Sequence, residues 1–284
     1  MKLTFLCDNS TLTDVYLTGE PALSFYIEDC GKKILFDAGY SDVFIKNAEK
    51  LGIDLLSLDF IVLSHGHCDH TGGLEFLKKM FEEAEINGFS HKRPVLVAHP
   101  LVFRSIYEEG FGEIGSPLKK EDAKAFCELK LSRNPVRITE NLVFLGEIRE
   151  SCEFEEPHSA GVSVADSGEV LPDFQPDDSA LVFSGKNGLC VITGCSHKGI
   201  CSILKQAGKV SGRDDYFCVI GGFHLLEAEK ERLYETGKFL GNAGISFIYP
   251  CHCTDFKAKA ALSKFVEVKE AGCGLVLSTM AGKI

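Results

Sequence analysis

No apolar run in this chain approaches the roughly 18 residues that a membrane-spanning helix needs, so no membrane span is expected. The start does not read as a secretory leader either. Leu3-Thr4-Phe5-Leu6-Cys7 is apolar, but Asp8-Asn9 cuts the run short of a signal core. Clusters of Lys and Arg are also missing, and the formal net charge is −11. An acidic surface repels phosphate backbones, so nucleic acid is not an expected partner. Solenoid-period repeats and low-complexity tracts are absent, which argues against a repeat array or a disordered chain. The twelve cysteines include no CxxC pair, so no structural zinc ribbon is implied. The expectation is a cytoplasmic protein with mostly reduced, buried thiols, such as Cys190 and Cys218 in apolar strand-like runs.

What is present is an ordinary globular composition. The 284 residues are 45% hydrophobic and 25% charged, enough for a large core. Leu23–Ile27 and Lys33–Phe36 read as a hairpin through Asp29-Cys30-Gly31. Val43, Phe44, Ala48 and Leu51 have helical spacing, and an amphipathic helix follows from Thr71 through Phe81. Phe60–Leu63, Val95–Ala98 and Leu142–Leu145 read as strands. A charged helix is expected from about Glu121 to Leu129. Glu150 to Gln175, with Pro157, Gly168 and Pro172, reads as a long loop or loose hairpin. Ala180–Ser184 and Leu189–Thr193 flank Lys186-Asn187-Gly188, an Asn-Gly turn signal. Helices are expected at about 199–207 and 226–240, and strands at Phe217–Ile220, Ser246–Tyr249 and Gly274–Leu277. The pattern suggests two sheets with helices outside, in a single domain spanning 1–284 with a variable insert at about 82–176 near the active site.

Six of the nine histidines fall just after apolar strands. Ile61-Val62-Leu63-Ser64 leads to His65, with His67 and His70 close behind. Val191-Ile192-Thr193-Gly194-Cys195-Ser196 leads to His197, Val219-Ile220-Gly221-Gly222-Phe223 to His224, and Ile248-Tyr249-Pro250-Cys251 to His252. Loops at the carboxyl ends of strands are where sheet proteins build sites. The most specific cluster is His65-Gly66-His67-Cys68-Asp69-His70. Alternation puts His65 and His67 on one side of an extended loop, while Asp69 and His70 enter the following helix. Three imidazoles and a carboxylate suit two borderline-soft divalent ions. Gly66, Gly72 and Gly73 allow tight turns beside them.

These residues resemble the metallo-β-lactamase superfamily, whose fold is an α/β (α+β) four-layer αββα sandwich carrying two metals at one edge. Leu35-Phe36-Asp37-Ala38-Gly39 resembles the family's LFDxG, which implies that Asp37 supports the metals from behind the ligands. Asp178-Ser179-Ala180-Leu181, Thr193 to His197, Ile220 to Leu225 and Pro250 to Thr254 are similar to a subgroup named after dihydropterin ribofuranosyl-aminobenzene phosphate synthase. Two departures stand out. Where many members carry a bridging aspartate as TGD, Thr193-Gly194 is followed by Cys195, so Cys195, Asp178 or His197 fills that place. The histidine that the subgroup usually carries near Gly19–Ser24 is absent.

The resemblance implies two divalent metals, zinc first, with iron or manganese as alternatives. His65, His67 and His197 are assigned to one ion, and Asp69, His70 and His252 to the other. Asp69 and His224 are the catalytic candidates, with His224 placed to hydrogen-bond a substrate oxygen or protonate a leaving group. Gly221-Gly222 offers amides to a phosphate. The expected activity is hydrolysis or transfer at a small phosphoester or pterin-phosphoribosyl-type substrate, through water activated at the metals. A lactonase or thioesterase is the alternative enzyme, and a metal-binding sensor or scaffold the alternative without turnover. The acidic charge disfavours an RNA-processing nuclease. A diiron redox protein is disfavoured because such relatives carry Glu at the place of His67 and need a flavin domain. A homo-oligomer stays open.

Overall fold

The computed structural model describes residues 1–156, 159–164 and 168–279. Ser24–Asp29 and Lys32–Phe36 pair antiparallel around Cys30 and Gly31, whose φ values of 50° and 71° give the tight two-residue turn. The second expected hairpin, Ala180–Ser184 with Leu189–Thr193, forms around the Asn-Gly turn.

Two seven-stranded sheets result. The first runs in the order Val276–Ser278, Lys2–Cys7, Ser24–Asp29, Lys32–Phe36, Phe60–Val62, Val95–Ala98, Glu128–Leu131. The second runs Glu267–Val268, Phe247–Cys251, Tyr216–Gly222, Leu189–Thr193, Ala180–Ser184, Leu142–Phe144, Val136–Arg137. Successive side chains on a strand face opposite ways. Ile34 and Phe36 therefore enter the core between the sheets, while Leu35 faces outward. Cys190 and Ile192 likewise point in, and Leu189 and Val191 point out. Burial on both faces explains why these strands read as unbroken apolar runs.

The outward faces are covered by helices. Val43–Lys50, Leu74–Ile86 and Lys120–Phe126 place Phe44, Leu77, Phe81 and Phe126 on the first sheet. Ile200–Ser211, Lys230–Asn242 and Phe256–Leu262 place Ile203, Leu204, Leu233, Leu240 and Leu262 on the second. The layers are helix, sheet, sheet, helix, the αββα sandwich.

The middle of the chain differs in detail from its sequence pattern. The charged helix stops at Phe126, and Glu128–Leu131 is an edge strand parallel to Val95–Ala98. Leu129 and Leu131 alternate with exposed residues and pack on the outer layer, a period-2 pattern that the short apolar run conceals. From the stretch Glu150 to Gln175, Val162–Val164 and Val170–Pro172 form a hairpin in a separate four-stranded sheet with Ile106–Glu108 and Gly112–Glu113. Pro157 lies outside the described residues. Among the described residues, no helix is long and apolar enough to cross a membrane.

Phe144 is fully buried between the sheets, whereas Phe256 is 85% exposed. Phe144→Ala should cost about 3–5 kcal/mol, and Phe256→Ala should change stability by no more than about 0.5 kcal/mol. Urea unfolding of metal-free protein compares the two. Similar losses would contradict the placement of the core.

Candidate metal centre

Three parallel strands of the second sheet, Leu189–Thr193, Tyr216–Gly222 and Phe247–Cys251, end at the same edge as Lys32–Phe36 and Phe60–Val62 of the first. The histidines that follow them meet there. Close approach of the two sheets requires a residue without a side chain at 194: a Cβ on Gly194 would lie 2.1 Å from Ser64 Oγ and 3.0 Å from Asp37 Oδ2.

Asp37 organises this edge. It is fully buried. Its Oδ1 accepts from the Ser64 amide at 2.7 Å, and its Oδ2 accepts from the Ser64 hydroxyl and from His70 Nδ1, each at 2.7 Å. Because the Ser64 hydroxyl donates to Asp37, it accepts from His65 Nδ1 at 2.9 Å. Both imidazoles therefore carry a proton on Nδ1 and turn Nε2 toward the centre. His252 is set the same way, with Nδ1 3.0 Å from Asn9 Oδ1, while its amide donates to Asp8 Oδ1 at 2.9 Å. Asp8, Asn9 and Ser64 are functional neighbours that the sequence did not reveal.

The ligand-type atoms fall into two groups. In one, His65 Nε2 and His197 Nε2 are 3.3 Å apart, and His67 Nε2 is buried with no hydrogen-bond partner among the described residues. In the other, His70 Nε2 lies 3.2 Å from His252 Nε2 and 3.7 Å from Asp69 Oδ2, which is 3.2 Å from His252 Nε2. Cys195 Sγ is 3.1 Å from His70 Nε2. Donors at the corners of a tetrahedron around zinc, each about 2.0–2.3 Å from the ion, stand about 3.3–3.8 Å apart. The observed spacings, 3.1–3.7 Å, lie close to that range, and the donor chemistry suits divalent metal ions.

Electrostatics agrees with that fit. Burial, then the neighbouring imidazoles, depresses the pKa of His65 and His197 well below the ordinary histidine range, leaving neutral imidazoles. Burial opposes charge on His70 as well, but the carboxylates of Asp69 and Asp37 outweigh it and raise the pKa to about 9. Burial likewise opposes ionisation of Asp69, yet His70 and His252 hold its carboxyl below the usual range. This half of the centre favours positive charge, whether a proton or a cation.

The remaining candidates are placed differently. His224 is exposed at the rim, its ring 4.3 Å from that of His197. Asp178 is fully buried and falls outside the ligand groups found among the described residues. Its Oδ2 accepts from the Lys198 amide at 2.8 Å, bracing the His197 loop, and burial raises its pKa to about 7. The Gly221-Gly222 turn is not a free amide cradle. The Gly222 amide already donates to Gly194 O at 2.9 Å, and a Cβ on Gly221 would lie 2.2 Å from Thr193 O, so the pair serves close strand packing. Asp177, also missed in the sequence, accepts from the Gly66 amide at 2.8 Å and pairs with Arg104 at 2.7 Å. It fixes the loop between His65 and His67.

Asp37→Asn removes the charge that orients two ligand rings. Metal affinity should fall about 10–100-fold, measured by competition with a chromophoric chelator, with the fold unchanged by circular dichroism. Wild-type affinity would show that the rings keep their orientation without the carboxylate.

The Metallo-beta-lactamase superfamily sequence model matches residues 17–88, the stretch that holds Asp37, His65, His67, Asp69 and His70. A curated relative from Methanocaldococcus jannaschii, 7,8-dihydropterin-6-methyl-4-(beta-D-ribofuranosyl)-aminobenzene-5'-phosphate synthase, is 38% identical over 249 residues, covering 84% of this chain and 82% of its own. The crystal structure of Tm1679, described as a metal-dependent hydrolase of the beta-lactamase superfamily, matches with a TM-score of 0.80 at 28% identity over 98% of both chains. YhfI from Bacillus subtilis shares the fold at a TM-score of 0.57 and 14% identity, over 97% of this chain and 98% of its own. The chain belongs to the metallo-β-lactamase superfamily.

Proposed function

We propose that this chain is a dinuclear-metal hydrolase or transferase acting on a small phosphoester or pterin-phosphoribosyl-type substrate, with zinc as the first metal to test. The observation that carries the reading is the facing pair His70 Nε2 and His252 Nε2, 3.2 Å apart while both Nδ1 atoms are engaged elsewhere. A single proton can join two such lone pairs in the metal-free chain. A divalent cation would satisfy both, together with the Asp69 carboxylate.

In this reading His65, His67 and His197 hold one ion, and Asp69, His70 and His252 the other. Zinc in such a site supplies Lewis acidity, bringing the pKa of water to about 7 and neutralising an anionic oxygen. Asp37 keeps the His65 and His70 rings aimed, and Asp177 and Asp178 hold the loops that carry His67 and His197. His224 stands beside His197 on the wall of a cavity of about 620 Å³ that Phe154, Leu226 and Arg232 also line. From there it donates a proton to the leaving group. The size of the cavity suits a small molecule, and the net charge of −11 disfavours a polynucleotide. The phosphoester and pterin choice is supported by the name of the Methanocaldococcus relative.

Fully loaded protein should hold two divalent metals per chain and lose turnover to a chelator. Zinc-loaded enzyme is assayed against phosphodiesters, phosphomonoesters, lactones and thioesters. Turnover confined to lactones or thioesters would replace this substrate class with acyl hydrolysis, and metal-loaded protein inert on the whole panel would favour a sensor.

His224→Ala should keep both metals and lower kcat by about 100-fold or more. Metal content and kcat are measured on the same preparation. Loss of one metal would make His224 a ligand, and unchanged kcat would remove it from the chemistry.

A further inference from the structure

We infer that the cavity beside His197 and His224 selects the leaving group: a flat, apolar moiety that is neutral or positively charged, and not a second phosphate or a carboxylate. The inference rests on the phosphoester reading above and says what stands on the far side of the bond that breaks.

One wall of the cavity is Phe154, and it is fastened in place. The residue after it, Glu155, is buried. Its Oε1 accepts from the Cys201 amide at 2.9 Å, and its Oε2 accepts from the Ser202 amide at 2.8 Å and the Ser202 hydroxyl at 2.6 Å. The carboxylate thus satisfies amides at the start of the helix Ile200–Ser211. Gly199 makes room for it, since a Cβ there would lie 2.1 Å from Oε2. The Cys152 amide donates to the same Ser202 hydroxyl at 3.0 Å. The segment Cys152 to Glu155 is therefore tied to the turn that follows His197. Arg232 closes the corner, with Nη1 donating to Phe154 O at 3.0 Å and Nη2 lying 3.8 Å from Glu155 Oε1. Its guanidinium is committed to the wall. Leu226, 66% exposed, lines the same cavity. A single exposed leucine needs no explanation. A leucine and a tethered aromatic ring in one cavity beside the metal ligands offer a surface for a flat apolar group.

The charges around that surface are mostly of one sign. Glu153, Glu156, Glu227, Glu229 and Glu231 line the cavity, and none of them forms an ion pair with another described residue. Glu229 and Glu231 stand at the start of the helix Lys230–Asn242, where carboxylates suit the helix dipole and imply no ligand. Glu153, Glu156 and Glu227 lie outside the helices, so that account does not reach them. The cationic groups lining the same space are Arg232 and, when protonated, His224. Metal ions on one side and carboxylates on the other orient a bound ester. Its anionic phosphate turns to the metals, and its other end lies among the glutamates. A second negative charge is repelled there, and an amine is attracted.

The test uses probes that share one anionic head and differ only beyond it: methylphosphonate, phenylphosphonate, and phenylphosphonate bearing a para-aminomethyl or a para-carboxy group. The para group is rigid and cannot fold back onto the metals. Calorimetric titration into full-length, zinc-loaded protein, with metal content checked, needs no turnover. Phenylphosphonate should bind about tenfold more tightly than methylphosphonate. The para-aminomethyl compound should bind about tenfold more tightly than the para-carboxy compound, and about 0.5 M sodium chloride should narrow that gap. Phe154→Ala should remove the advantage of the phenyl ring, and Glu227→Gln combined with Glu229→Gln should narrow the charge gap, both with wild-type metal content. If Phe154→Ala does not fold, the wild-type series decides alone. Equal affinity for methylphosphonate and phenylphosphonate, or a para-carboxy compound that binds at least as tightly as the para-aminomethyl one, would overturn this assignment and leave the phosphoester reading standing. Zinc-loaded protein that binds none of the four would overturn the phosphoester reading with it.

Discussion

The structure turns on one buried carboxylate. Asp37 accepts three hydrogen bonds from Ser64 and His70, and through Ser64 it reaches His65. A buried charge is costly unless it is paired and hydrogen-bonded. Here the hydrogen bonds come from the loop that carries the H-x-H-x-D-H cluster, and the balancing positive charge comes from His70 or from metal. Fold and site share one constraint, because the group that needs a cation is also the group that arranges the ligands.

The backbone bears a matching cost. Asp37, Ser196, His224 and His252 have φ values of 56°, 65°, 49° and 52°, in the left-handed region that non-glycine residues seldom occupy. Such conformations cost of the order of 1–3 kcal/mol each and persist only where the surroundings over-determine them. All four fall at the ends of strands that are paired and buried on both sides. The sheets supply the stability, and the turns spend part of it to bring the side chains to one edge. Substitutions at these positions therefore act on stability and on the site together.

Much of this was legible in the sequence for a physical reason. Strands buried on both faces are continuous apolar runs, and a ligand cluster of three histidines and an aspartate within six residues is a local pattern. The contacts of Asp8, Asn9 and Asp177 were not legible, because each is made across the fold to a distant loop. The charged helix reads to about Leu129 in sequence but stops at Phe126, because a run of that length carries too little periodicity to separate helix from strand. The Gly221-Gly222 pair suggests an anion cradle in sequence, which shows a glycine pair but not the neighbouring strand that it admits.

The most direct test of the account is anomalous diffraction at the zinc edge from crystals of the metal-loaded protein. Two peaks per chain are expected, one bounded by His65, His67 and His197, the other by Asp69, His70 and His252. A single peak, or peaks away from these side chains, would contradict it.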